Sequence, residues 1–244
     1  MARQAIEEGE QGGPFAYVVP AGQKDRPTAV EMIDRLMLQG IEVHRADSDI
    51  RIAGETYPQG SFFILAAQPA RSALVDLFER QDYPDVRLYP DGPPVLPYDV
   101  TGYTLPLQMG VRYVAISRPF DVSQLSPISA VPPDVPASIP VAADVFVLNH
   151  EINKTAILVN RLLVRNVPVY RVPQAIDFNG TLISSGAFAV SASPEVRTTL
   201  MELNDELSLP IAADPAGFSV DDSAVPLTAP RVGLYRSWVP SIDE

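Results

Sequence analysis

The sequence predicts an α/β protein built from two pseudo-repeated βαβ-plus-hairpin units with mainly parallel sheets, joined by a Pro-rich connector. Three observations lead there: a register match between the two halves, the same order of apolar runs in each half, and a concentration of proline between them. Sliding the chain by 126 positions lays Arg35-Leu36-Met37-Leu38-Gln39-Gly40-Ile41-Glu42-Val43-His44-Arg45 on Arg161-Leu162-Leu163-Val164-Arg165-Asn166-Val167-Pro168-Val169-Tyr170-Arg171. The match continues without a gap, placing Gly54 on Gly180, Gly60 on Gly186, Phe62 on Phe188, Ala66 on Ala192, Arg71 on Arg197 and Leu77 on Leu203. Agreement across several elements marks a duplicated building block.

Residues 1–14 read as a linker or helix end, broken by Gly12-Gly13-Pro14. The first α/β unit spans 15–118. Phe15 to Val19 is a buried strand; Thr28 caps a helix that directs Ala29, Met32, Ile33, Leu36 and Met37 to one side, and Gly40 supplies the left-handed end. Ile41 to Arg45 alternates as a strand, and a short right-handed parallel crossover is the favoured pairing. Two extended runs around Gly54 form a hairpin that feeds the strand ending at Leu65, and Pro69 opens a helix from Ala70 to Arg80. The stretch from Tyr89 to Val111 is an aromatic, proline-rich insertion, and Val111 to Ile116 is one more strand.

Residues 119–140 have the proline spacing of an extended connector. The second α/β unit, 141–209, repeats the order: strand Val145 to Leu148, helix Lys154 to Arg165 ended by Asn166, strand Val167 to Val172, hairpin around Gly180, strand Ala187 to Val190, helix Pro194 to Leu207. Asn tolerates the left-handed conformation that Gly40 takes in the first copy. Residues 210–244 read as an irregular tail and the first strand, Arg231 to Tyr235, of a following domain.

A formal charge of −12, spread along the chain, disfavours nucleic-acid phosphates and anionic membranes. No apolar run is long enough for a membrane span, and the first residues carry neither an apolar leader core nor a processing site. The absence of cysteine removes thiolate metal ligands and thiol nucleophiles. Of the two histidines, His44 begins a His-Arg-Ala-Asp run that superficially resembles half of a zinc site. Its counterpart in the second copy is Tyr170, so a strand position for a ring explains it without metal, and the expectation is no metal and no cofactor in this chain.

The strand-to-helix loops, Pro20 to Thr28 and Asn149 to Thr155, are expected at the carboxyl ends of parallel strands, where open α/β sheets bind ligands. Neither holds a phosphate-cradling glycine pattern. No G-x-S-x-G elbow occurs, and Ser184-Ser185-Gly186 aligns with a hairpin turn. The acidic pairs Asp47 with Asp49, Asp205 with Glu206 and Asp221 with Asp222 read as solvated surface, and Arg45 and Arg171 as structural partners for carboxylates. The candidate ligand-contacting residues are Asn149, His150, Asn153, Lys24 and Tyr98, in a groove expected between the two units.

The segment Pro97-Tyr98-Asp99-Val100-Thr101-Gly102-Tyr103-Thr104-Leu105-Pro106-Leu107-Gln108-Met109-Gly110-Val111, with the runs Phe15 to Pro20 and Gln39 to Ala46 before it, resembles the region downstream of the catalytic domain in large bacterial carboxypeptidase A-type zinc metallopeptidases. Pro230 to Glu244 resembles the first strand and loop of the glutamine-amidotransferase-like domain that ends many of them. The resemblance implies a non-catalytic accessory or interdomain module, partnered by an upstream peptidase domain and a downstream amidotransferase-like domain of one polypeptide. Zinc belongs, on this reading, to the upstream domain, and an extracytoplasmic home is implied. None of the family's zinc ligands can be placed here: His44 is followed at the third position by Asp47, not Glu. Two alternatives stand beside it: a stand-alone glycan or small-molecule binding module using Tyr98, Tyr103 and Trp238 as stacking faces, and an independent hydrolase using carboxylates in the groove.

Overall fold

The computed structural model describes residues 2–80, 84–95, 104–131, 139, 141, 143–178, 181–214, 224–235 and 238. The chain divides into two compact units, Met1–Pro133 and Asp134–Glu244. In the first unit the elements are α1 (Ala2–Gln11), β1 (Ala16–Val19), α2 (Arg26–Leu38), β2 (Val43–Ala46), β3 (Ile50–Ile52), β4 (Glu55–Tyr57), β5 (Phe62–Leu65), α3 (Arg71–Phe78), α4 (Leu105–Gln108), β6 (Val114–Ile116) and β7 (Leu125–Ile128). The second unit continues with β8 (Val145–Leu148), α5 (Asn153–Val164), β9 (Tyr170–Arg171), β10 (Ile176–Phe178), β11 (Thr181–Ile183), β12 (Phe188–Ser191), α6 (Pro194–Leu207), β13 (Ile211–Asp214) and β14 (Val225–Pro226).

Each unit holds one five-stranded sheet, in the order β6-β1-β5-β2-β7 and β13-β8-β12-β9-β14, and every described strand pair is antiparallel. The expectation of mainly parallel sheets is therefore overturned. β1 and β2 run the same way and are joined by α2, but they do not pair, because β5 lies between them and opposes both. This is the split βαβ, or ferredoxin-like, arrangement. The hairpin β3–β4 provides the reversal that brings β5 back antiparallel. A strand-helix-strand reading is the same for both topologies, since hydrophobic periodicity reports which residues are buried and not which strand is the neighbour.

β5 is central because its side chains are apolar on both faces. Phe62 and Ile64 join β1, β2 and the helices in one cluster with Tyr17, Val19, Ile33, Leu36 and Phe78. Phe63 points the other way, into a cluster with Val18, Ile50, Ile52 and Tyr57, so the β3–β4 hairpin covers the face that the helices leave. In the second unit Phe146, Leu148, Leu158, Leu162, Val190 and Leu200 form the helix-side core, and Val145, Val147, Ala187 and Ala189 the opposite face.

The helix ends follow local chemistry. Asp25, and not Thr28 as the sequence suggests, caps α2, its Oδ1 accepting from the Thr28 N–H at 3.0 Å and its Oδ2 from the Thr28 hydroxyl at 2.7 Å. At the other end Gly40 takes φ +82°, the Gly40 N–H donates to Met37 O and the Ile41 N–H to Leu36 O, a Schellman closure. Asn166 repeats it at φ +57°, with the Asn166 and Val167 N–H groups donating to Leu163 O and Leu162 O.

The duplication extends to edges that the gapless alignment does not reach. His44 on β2 stands opposite Phe63 and Pro127; Tyr170 on β9 stands opposite Ala189 and Pro226. Asp47 donates its N–H to Gln124 O on one edge, and Leu227 donates to Val169 O on the other. Antiparallel alternation then turns the nitrogens of Pro127 and Pro226 away from their partner strands, toward the open edge. β7 arises from the stretch read as connector, and β13 from the stretch read as tail.

α1 is set on the first unit by small residues. Ala5 and Gly9 are buried, α1 packs on α3, and a Cβ added at Gly9 would come within 2.5 Å of Ala66 O and 2.6 Å of Ala67 Cα. Gly9→Val is expected to lift α1 from its seat, seen as faster proteolysis within residues 2–11 and a lower urea midpoint. Gly40→Ala, which forces a side chain into the left-handed region, should lower stability by about 1 kcal/mol, whereas Asn166→Gly should be neutral or stabilising in the same unfolding measurement.

Candidate functional site

Because every paired strand in the sheets is antiparallel, neither strand-to-helix loop lies at a parallel-sheet switch point, and that ground for ligand binding falls away. The first loop, between β1 and α2, is tied down by neighbours. The Ser61 hydroxyl accepts from the Ala21 N–H at 3.0 Å and donates to Pro58 O at 2.7 Å. Gln23 and Arg112 exchange hydrogen bonds, Gln23 Nε2 donating to Arg112 O at 2.8 Å and the Arg112 N–H donating to Gln23 Oε1 at 3.0 Å. Lys24 is exposed on this loop.

The second loop, between β8 and α5, brings Asn149, His150 and Asn153 together. Asn149 Oδ1 accepts from the Glu151 N–H at 2.9 Å, an Asx turn that shapes the entry to α5. His150 is exposed at its edge, with its ring over Gly186: a Cβ there would be 3.5 Å from Cδ2, Cε1 and Nε2. Gly60, the equivalent glycine in the first copy, lies instead under the Arg45 guanidinium, 3.3 Å from where a Cβ would be. Both glycines have positive φ, and a different side chain covers each. Asn153 is exposed as the first residue of α5. Tyr98, Tyr103, Asp221 and Asp222 fall outside the described residues.

The carboxylates near His44 hold loops. Asp47 Oδ2 accepts from the Ser126 hydroxyl at 2.6 Å, and Asp49 Oδ1 from the Gln59 N–H at 2.8 Å. Among the described residues no group of three or more His, Asp or Glu side chains stands where it could hold a metal ion. The His44 Nδ1 is buried without a hydrogen-bond partner, and burial pushes the imidazole below its ordinary pKa, with Glu42 opposing the shift. Its place in the sheet is the one Tyr170 fills in the other copy, a position for a flat ring.

Two cavities open on the second unit. One, of about 540 Å³, is a shallow groove along α5 and α6, where Arg161 meets Glu206 and Arg165 meets Glu202, each at 2.8 Å. The Arg161 hydrogen bond holds the Glu206 carboxyl below its ordinary pKa. These exposed pairs are worth little individually. The other, of about 350 Å³, lies where β12 runs into α6, lined by residues that include Phe146, Ala192, Ser193, Arg197 and Thr198. Sequence reading did not find it, although the alignment of Arg71 with Arg197 passes through it.

No family model, curated protein or solved structure matches the chain. No described helix is long and apolar enough to cross a membrane.

The His44 environment sets the sign of a pH effect. Its folded pKa lies below the unfolded value of 6.5, so the neutral ring's contribution is complete above that value and is lost as pH falls through the folded pKa. His44→Tyr, which imports the second copy's residue, is expected to flatten the fall in stability below pH 6.5, measured by urea unfolding across a pH series.

Proposed function

We propose that this chain is a non-catalytic accessory or interdomain module of a zinc metallocarboxypeptidase-like protein, holding neighbouring domains, or a length of polymeric substrate, in place. The parent reaction on this reading is zinc-dependent peptide hydrolysis in an upstream domain, and a downstream amidotransferase-like domain follows. An extracytoplasmic location belongs to the same proposal. The observation that supports it is the surface of the last described segment. Val232 is 90% exposed, Leu234 100%, Tyr235 85% and Trp238 97%.

Large apolar side chains in succession, unburied over a segment that alternates like a strand, call for a covering partner. Burying them would contribute roughly 25 cal/mol per Å² of apolar surface. A first strand that completes the sheet of a following domain meets that requirement, and the sequence resemblance points to the same domain.

The single tryptophan makes the reading testable. Acrylamide quenching of Trp238 in this chain should match a solvated indole. In a chain extended along its reading frame past Glu244, quenching should fall several-fold and the emission should shift to the blue. A frame that stops at Glu244, quenching unchanged by the extension, or zinc-dependent peptidase activity in the short chain would each sink the proposal.

A further inference from the structure

We propose that the outward face of α5 is the contact surface of a homodimer, and that a second copy of this chain is what covers it. α5 buries Thr155, Leu158, Val159 and Leu162, and the helical period carries Ile157, Asn160 and Val164 to the opposite side. Ile157 is 43% exposed and Val164 76%, and Asn160 stands exposed between them. Steps of three and then four residues along this stripe are those of a two-helix seam.

The first copy supplies the comparison. The gapless register lays these positions on Glu31, Asp34 and Leu38 of α2, so the same outward face there carries two carboxylates. That is the ordinary surface of a chain with a formal charge of −12. α5 has neither charge and sets isoleucine in place of Glu31, a composition suited to burial that the core of its own unit does not use.

The face suits a second copy. A two-fold contact brings a surface onto itself, so each group on the seam must be acceptable beside its own kind. Isoleucine and valine meet that condition. The Asn160 amide holds both a donor and an acceptor, so it can bond to the same amide of the other copy, and a single asparagine in an apolar seam fixes register in this way. The charged side chains bordering the stripe, Arg161 with Glu206 and Arg165 with Glu202, are already joined at 2.8 Å, which leaves that border neutral. Two acidic chains, whose net charges repel, can approach there. The groove of about 540 Å³ beside the stripe, lined by Leu203 as well as Val164, gives an aliphatic side chain of the other copy a place to enter.

A helix pair of this length covers less than the roughly 1,200 Å² of a standard interface, so association is expected at tens to hundreds of micromolar, and sedimentation equilibrium of the full chain from about 10 to about 500 µM should show the average mass rising toward that of a dimer. Ile157→Glu and Asn160→Asp, which import the first copy's residues, should each weaken association at least tenfold and leave the unfolding midpoint in place. Leu38→Glu, at the exposed counterpart of Val164, should leave association unchanged. Asn160→Cys, the sole cysteine of such a chain, should give a disulfide-linked dimer on mild oxidation, at least tenfold faster than Asp34→Cys. A chain that stays monomeric over that range, a dimer that survives both α5 variants, or one that Leu38→Glu dissolves overturns the proposal. So does burial of Ile157 in a chain extended past Glu244 while the short chain stays monomeric, which would make a following domain the occupant. These outcomes are independent of the domain-positioning reading, which Trp238 tests.

Discussion

The structure depends on one strand in each unit being paired along both edges. β5 opposes β1 and β2, and β12 opposes β8 and β9, so in each copy the two strands joined by a helix are held by a third that comes later in sequence. Nothing in the strand-helix-strand segment closes a sheet alone. The hairpin between β2 and β5 is part of this logic: it reverses the chain, and its Ile50, Ile52 and Tyr57 bury the face of Phe63 that the helices do not reach. Without it, the sheet would face water with phenylalanine and valine.

That dependence explains what could be read from sequence and what could not. The order of most elements, the left-handed ends at Gly40 and Asn166, and the hairpin turn at Gly54 follow from local chemistry, positive φ and the alternation of apolar residues, while the helix cap falls on Asp25 rather than Thr28. The neighbour relation does not, because Phe62-Phe63-Ile64 reads as fully buried whether the adjoining strands are parallel or antiparallel. β14 has two residues, and β7 includes a proline; both are too short or too interrupted to show a period. The cavity beside Arg197 was hidden for another reason. Its lining joins Val141 and Ala143, ahead of β8, to Phe146 on β8 and to Ala192, Ser193 and Arg197 at the entry to α6, a juxtaposition that strand pairing creates and linear spacing does not display.

The two copies have diverged most where they meet solvent. Gly60 lies under Arg45 and Gly186 under His150, so the same turn carries an arginine in one unit and an imidazole in the other. Asn149 shapes one strand-to-helix loop through an Asx turn, while Ser61, Gln23 and Arg112 bind down the other. A duplicated scaffold in which the buried pattern is kept and the loops are rewired can offer two different surfaces.

Pro127 and Pro226 carry a consequence beyond their own strands. Copying a small sheet doubles the number of strand borders at which chains can zip together, and a tandem of like sheets is prone to growing into ribbons. With no N–H to offer at the same point of each border, both copies cap that side against elongation. Sheet extension, natural or pathological, is thereby directed to the opposite borders formed by β6 and β13, where no proline interrupts the strand.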